Sequence, residues 1–565
     1  MTRRDRIAAR SAAENAVRCA TVLLLVLVAC AGGTASQRQA PTIPPTGKFT
    51  ASVPPAAQYG PDPSRTCPSD SIINTVRDDI GGLATRAGKP APEADGRLCG
   101  IAQALLGWDE KQPVPEQLLS FLAQHFGVAE PVRRVIVATV ETDKPADISP
   151  MIQEAVAPFL QSAFGVVRYG FVTQRIRRGP LERTQIAQGT GAPSATKVSL
   201  VMQDSLLDLT PVPRKLDPNG QATLQAKLLD DLQNPAVLVS DVRGKLEQPP
   251  QQKGKDVSAA LSCGGRTGRM VVEIRAEQAG SQKVVSDIAV LCGMDSPTSI
   301  DLGAGQGDPS QQEQAVFNSI NRERTAAGLS PLTWDDRVAQ VARQVSQSDA
   351  QVAAQGGGTV TSEQQLKQRL RDAGITSALV LQNPGEARTA EAAQDRFSMS
   401  PVHRANYMSS DATNGAVGVA PFTLQGTPLV MVTELFTRQL AAVDVASVRT
   451  KLREAIARNR TNARAGALQD DPALDKVAEE YAKELAAAGG TISNTRHSRL
   501  VSPLYRNYRT IDVVVGAKGD PLEFADEKAV LTSKDKALGI GMAQGNHPVL
   551  GQNAVYVVLL FGTHK

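Results

Sequence analysis

Aromatic residues are scarce in this chain of 565 residues: Phe, Trp and Tyr make up 4% of it, with two tryptophans, and there are five histidines. A surface that stacks bases needs ring platforms, so this composition argues against nucleic-acid binding. Beyond residue 29 no run is long and apolar enough to span a bilayer as a helix. There is no Gly-x-Ser-x-Gly elbow, no phosphate-cradling glycine loop and no Cys–His nucleophile pair. His497, His547 and His564 lack the His-x-Glu and His-x-x-x-His spacings that put metal ligands on one face. Neither a metal nor any other cofactor is expected.

What is present first is an address. Arg3, Arg4, Arg6, Arg10 and Arg18 precede an apolar run over 20–29 that is broken only by Thr21. The run is too short to span a membrane and fits the apolar core of a signal peptide. It ends in Leu27-Val28-Ala29-Cys30, which resembles the bacterial lipobox. That resemblance implies cleavage before Cys30, acylation of Cys30, and a lipoprotein anchored in the cell envelope. The formal net charge is +4, and residues 1–29 carry five arginines against Asp5 and Glu14, so +3 of it leaves with the signal. A nearly neutral remainder gives no reason to expect a nucleic-acid partner. Four cysteines then remain: Cys67, Cys99, Cys263 and Cys292. Three pairings are formally possible in an oxidising compartment. Cys67–Cys99 and Cys263–Cys292 are preferred, because each pair then falls inside one candidate domain.

Residues 30–66, rich in Pro, Gly, Ser, Thr and Gln, read as a flexible tether, and Ser296 to Gln312 as a linker between domains. An internal repeat lies between and beyond them. Nine residues separate Gly88 from Arg97, and nine separate Gly328 from Arg337, in related surroundings; a weaker copy runs from Ala465 to Leu474. In each copy an amphipathic helix ends, a glycine is expected to cap it, and an aspartate to start the next helix. The copies also end alike. Gly415-Ala416-Val417-Gly418 leads to Leu429 through Phe436, and Leu538-Gly539-Ile540-Gly541 leads to Val555 through Phe561, as β-branched runs split by a turn. Residues around 168–172 and 197–202 are the corresponding pair of the first copy. Residues 205–295 differ: short alternating runs separated by Gly, Pro, Asn and Asp predict a β-sandwich module.

The middle copy opens with Phe317-Asn318-Ser319-Ile320-Asn321-Arg322. It continues through Gly328-Leu329-Ser330-Pro331-Leu332-Thr333-Trp334 to Ser400-Pro401-Val402-His403-Arg404-Ala405-Asn406. In that order and spacing it resembles the bacterial branch of the CAP superfamily, the SCP-like extracellular proteins. The resemblance implies the family's α-β-α sandwich; with the repeat and the strand pattern of 205–295 the expected fold is α+β, with CAP-type α-β-α sandwich domains in tandem plus an all-β sandwich module. The expected boundaries are 1–29 signal peptide, 30–66 tether, 67–204 degenerate CAP-like domain, 205–295 β-sandwich, 310–440 CAP domain and 445–565 degenerate CAP-like domain. The family cleft can carry two histidines and two acidic groups. Here His403 matches the second histidine, the first has no counterpart between Gln355 and Ser362, and the family glutamate falls on Gln382.

A lone histidine cannot complete a zinc site, and the neutral amide of Gln382 cannot act as a base. His403 is therefore expected to order its own loop, with Arg404 and Asn406 capping backbone groups. The candidate ligand-binding set is His403, Gln382 and Asn406, and His403 is the one catalytic candidate. The expected function is non-catalytic binding of a lipid, glycan or protein ligand at the envelope. The alternative is a hydrolase or peptidase with His403 as base and Glu386 or Glu391 as its carboxylate. His125 is expected to be a partly buried surface residue, and Trp108 and Trp334 to fill core space.

Overall fold

The computed structural model describes residues 47–565 except 164, 177–194, 230, 250, 251, 253, 303–306, 359–360 and 378. The signal segment and the Cys30 lipidation site lie outside the described residues. The chain has a mixed helix-and-sheet architecture, and no helix among the described residues is long and apolar enough to cross a membrane.

Three four-stranded sheets share one strand order. In the first, Glu93–Ala94 is followed across the sheet by Val166–Ile176, Ala195–Ser205 and Arg134–Val140. In the second the order is Thr333–Trp334, Asn414–Leu424, Thr427–Thr437 and Val380–Ala387. In the third it is Gln469–Asp470, Ala537–His547, Gly551–His564 and Tyr508–Lys518. The two-residue strand runs parallel to its neighbour in each case, and the other pairs are antiparallel.

The expected helix start recurs in all three places. Asp95, Asp335 and Asp471 cap the helices Gly96–Leu105, Asp336–Ala353 and Pro472–Ala487 with their carboxylates. Their own N–H groups donate to Tyr169, Gly415 and Leu538 at matching points of the next sheet. Helix and sheet approach so closely there that a Cβ on Gly418 would lie 2.3 Å from the Ala342 carbonyl carbon, and one on Gly541 1.9 Å from that of Ala478. Gly170 meets Leu98 in the same way at 2.1 Å, as Gly539 meets Leu474 at 2.3 Å. The turn that closes the preceding helix uses Gly88 at φ +69° and Gly328 at φ +71°, as expected. In the third copy that position belongs to Arg464, at φ +56°, and not to Gly466.

Residues 207–292 form two further sheets. A three-stranded one (Asp256–Ser262, Gln221–Leu228, Leu207–Leu209) alternates buried and exposed side chains and turns one face to the core. The other has five strands, with Gly268–Gln278 and Ser281–Cys292 near its centre. Those two central strands are buried on most of both faces, because the sheet lies between its partner sheet and the helices of the neighbouring segments. Both preferred disulfides form, Cys67–Cys99 and Cys263–Cys292. The second joins the two sheets, where the sequence suggested that it tied neighbouring last strands.

Two segments expected to be loose are docked. Lys48–Thr50 pairs with Ser299–Asp301, and Gln58–Tyr59 pairs with Val212–Pro213. Tyr59 is fully buried, and its hydroxyl donates to the Ala289 carbonyl at 2.9 Å. The second half of the expected tether and part of the expected linker therefore form short strands; two strand pairs and the buried rings of Phe49 and Tyr59 fix the former.

Candidate functional site

His403 stands on a short helix, Pro401–Tyr407, with Pro401 at its first position. Arg404 settles where that helix goes. Its guanidinium is completely buried and donates to Ser240 Oγ (2.8 Å), the Asp241 carbonyl (2.6 Å), the Val242 carbonyl (3.1 Å) and Glu323 Oε1 (3.0 Å). Glu323 also accepts from Arg269 (2.8 Å) and from the Tyr407 hydroxyl (2.7 Å). Burial alone would raise this carboxyl, but the charges of Arg269 and Arg404 hold it at about 2. Arg404 does cap backbone groups, the carbonyls of Asp241 and Val242, but they lie on another segment. It bolts the helix to the strand Gln233–Ser240 of the five-stranded sheet.

Asn406 is spent locally. Its amide donates to the Gln382 carbonyl (3.1 Å) and to Asn383 Oδ1 (2.8 Å), and Asn383 donates to the His403 carbonyl (3.0 Å) and to Glu434 Oε2 (2.8 Å). Glu434 is fully buried, and its Oε1 has no partner among the described residues. Burial pushes its carboxyl up to about 8, against the lowering effect of the Asn383 hydrogen bond. No sequence pattern points to this acid, which follows Thr433 in a mostly apolar strand.

The His403 ring faces away from that cluster. It packs on Phe397, with ring centroids 5.0 Å apart, and lines a groove of about 500 Å³. Three parts of the chain build the groove: the helix Glu116–His125 with Glu130, the strands carrying Glu273, Arg275 and Asp287, and the middle segment from Pro384 to His403. Leu119, Ala123, Val128, Val284, Phe397 and Met399 supply apolar wall. Gln382 and Asn406 are not part of it, so the structure separates the three residues grouped from the sequence. Glu386 and Glu391 are absent from it too. Of the carboxyls that line the groove with His403, Asp395 belongs to the same segment, while Glu116, Glu130, Glu273 and Asp287 come from other parts of the chain.

The electrostatics favour neutral groups. Burial lowers the His403 pKa, and the charges of Arg275 and Arg396 lower it further. Asp287 is pushed up to about 8 by burial and by the neighbouring charge of Glu273, with Arg275 opposing, and its Oδ1 is buried without a partner among the described residues. Glu130 is raised to about 6 by burial, although the N–H groups of Leu206 and Leu207 bind it. Arg275 pairs with Glu273, and Arg396 with Glu116 at 3.4 Å. At neutral pH the groove presents a neutral imidazole, a largely protonated Asp287, two cations paired with Glu273 and Glu116, and the carboxyls of Glu130 and Asp395, which at about 6 are both mostly ionised.

Among the described residues no group of three or more His, Cys, Asp or Glu side chains is placed to hold a metal ion. His125 is buried, with Nε2 at 2.9 Å from the Val53 carbonyl, and is not the surface residue expected; the docked 47–59 segment covers it. His497 meets the Tyr481 hydroxyl at 2.8 Å, and His564 meets Asp471 Oδ2 at 3.0 Å. Trp108 is core, whereas Trp334 is half-buried, edge-on to Phe317.

Residues 317–433 match the model of the cysteine-rich secretory protein family, CAP, so the chain contains a CAP domain. Among solved structures the chain is similar to an outer surface protein from Borrelia burgdorferi, at 16% identity over 24% of this chain and 99% of that one, with a TM-score of 0.20. It is also similar to an extracellular protein containing a SCP domain from Bacillus anthracis, at 14% identity over 47% of this chain and 78% of that one, TM-score 0.20. A cysteine-rich secretory protein from Staphylococcus aureus matches at 15% identity over 41% and 81%, TM-score 0.18. In the comparison with curated proteins, none matches.

Proposed function

We propose that this is a lipid-anchored CAP protein of the bacterial envelope that binds a ligand and does not convert it. On this reading 67–204 and 445–565 are degenerate CAP-like domains flanking the CAP domain at 310–440, with 205–295 a β-sandwich between. The common strand order of the three four-stranded sheets, and the matching Asp–sheet contacts, support the tandem arrangement. The signal-like N-terminus, the two disulfides and the secretory family match support the address.

The observation that carries the binding reading is a groove with apolar walls that is also lined by a neutral His403 and by Asp287, whose carboxyl burial holds protonated. Such a site suits an apolar chain with an uncharged, hydrogen-bonding end, since the nearby cations are already paired. A lipid of that kind is therefore favoured over a glycan or a protein in this groove. Catalysis is disfavoured, although Ser400 lines the same groove: the serine makes no hydrogen bond to the imidazole, and a Ser–His nucleophile needs one. The test uses a monoacylglycerol with the purified protein. Saturable binding without ester hydrolysis, weakened by both His403→Ala and Asp287→Ala, is expected. Hydrolysis lost in His403→Ala would instead establish the hydrolase reading, and binding unaffected by either substitution would remove this groove from the function.

A further inference from the structure

The outer strand of the first four-stranded sheet has an open side. Arg134–Val140 pairs with Ala195–Ser205 on one side, and among the described residues no strand pairs with the other. Such an edge offers a row of backbone N–H and C=O groups to a further strand, and proteins ordinarily blunt it with a proline, a charge or a bulge. The equivalent edges of the other two sheets are blunted. Val380–Ala387 contains Pro384, which has no N–H to give. Tyr508–Lys518 carries Arg509 and Asp512, both exposed, and a register shift beside Tyr508. From Val135 to Val140 the first edge has neither proline, glycine nor charge.

Its side chains are half covered on both faces. Val135 and Val137 pack on the core beneath the helices Gly96–Leu105 and Glu116–His125, and Ile136, Ala138 and Val140 on the core beneath Ser71–Arg86 and Pro145–Ser162. Every residue from Arg134 to Val140 stays partly exposed, whereas the adjoining strand Ala195–Ser205 is buried throughout. Both apolar layers thus run out to this edge and stop there. The strand is also complementary to itself. Antiparallel pairing of two copies about a two-fold axis at Val137 sets Val137 opposite Val137, Ile136 opposite Ala138 and Val135 opposite Thr139. Residues directly opposed share a face, so each apolar layer continues across the axis. Just beyond the strand ends stand Arg133 and Glu141, both exposed. The same register puts Arg133 of each copy opposite Glu141 of the other.

We propose that two copies of this chain dimerise through Arg134–Val140, joining their first sheets into one continuous sheet across a two-fold axis. Any extended peptide could use the open backbone groups. A second copy of this strand also supplies β-branched and small side chains for both faces and an opposite charge at both ends of one register. The surface is small, so the dimer is a weak one that forms as concentration rises.

The experiment is sedimentation velocity of the full-length protein in mild detergent, at concentrations from roughly 1 to 100 μM, the range of a weak dimer. A monomer–dimer equilibrium is expected. Glu141→Arg should weaken it by about tenfold, because like charges then face each other at both ends of the pairing. Arg133→Glu and Glu141→Arg together in one chain should restore it. Both positions are exposed, so these variants leave the core intact. Cross-linking reads the register. Val137→Cys should give a disulfide-linked dimer on mild oxidation, since opposed Cα atoms lie about 4.5–5.5 Å apart, within the span of a disulfide. Val135→Cys should not, because the two copies of that position are offset by about 13 Å along the strand. A monomer throughout the concentration range, a dimer indifferent to Glu141→Arg or not restored by the double exchange, or cross-linking no better at position 137 than at 135 would each overturn the proposal.

Discussion

Glu434 offers the sharpest test of the middle sheet. Its carboxyl is completely buried, raised to about 8, and bonded only through Oε2 to Asn383. Because the folded pKa lies above the unfolded one, near 4.5, the folded state holds this proton while the unfolded state releases it. Stability from this group is highest in acid and falls as pH rises from about 4.5 towards about 8. At 1.36 kcal/mol per unit, the penalty grows by about 2–3 kcal/mol between roughly pH 5 and pH 7. Glu434→Gln removes the ionisation and keeps the shape, at the cost of an amide N–H where Oε1 had no partner. The absolute change at acid pH is therefore small or unfavourable, but the difference between variant and wild type should move in the variant's favour by about 2–3 kcal/mol over those two pH units. Urea unfolding in a Trp108→Phe background, read by Trp334 fluorescence, follows the segment that contains Glu434. A difference that stays flat with pH would show that the carboxylate is solvated in the folded state, and the buried cluster with Asn383 and Asn406 would be refuted.

Two other substitutions probe the architecture. Arg404→Met leaves Ser240, Asp241 and Val242 without their donor and Glu323 with one cation fewer, so it should cost about 3–5 kcal/mol. The loss should appear in urea unfolding of both the 205–295 and 310–440 segments, and a cost under about 1 kcal/mol would mean that the helix docks by other contacts. Gly418→Ala drives a Cβ into the Ala342 backbone and should lower stability by about 1–3 kcal/mol, whereas Gly466→Ala, which meets nothing within 4 Å, should be near neutral in the same thermal melts.

What could be read from the chain was local or periodic. The Asp335 cap, the Gly328 turn and the 414–437 hairpin follow from short-range chemistry, and the structure places all three where the pattern does. The disulfides followed from redox address and loop length. Contacts decided by packing between distant segments were not legible. Tyr59 lies in a stretch of Pro, Gly and Ser that reads as a tether, yet two buried rings, Phe49 and Tyr59, and two strand pairs hold that stretch down. Arg464 occupies a left-handed position that favours glycine, because the residue after the helix C-cap must turn there whatever its side chain. Arg404 read as a local cap, since no sequence pattern announces that three acceptors on another sheet await its guanidinium.

The same point governs the site. A CAP domain standing alone would present His403 to whatever lies beside the Pro401–Tyr407 helix. Here Arg404 presses that helix against Gln233–Ser240, and the interface brings Glu273, Arg275 and Asp287 to the ring's side of it. Burial is then shared among the groups that meet there: the imidazole is held neutral, Asp287 keeps its proton, and Glu273 and Arg275 neutralise each other. No member of that set could be charged and unpaired without meeting the desolvation cost alone. His403 thus has neighbours from other segments of the chain, and burial together with Arg275 and Arg396 holds its ring neutral. General-base chemistry needs a proton acceptor that is stabilised as it becomes a cation, and the two arginines facing His403 do the opposite. The groove is accordingly better suited to hold an uncharged end of a ligand than to break a bond in it.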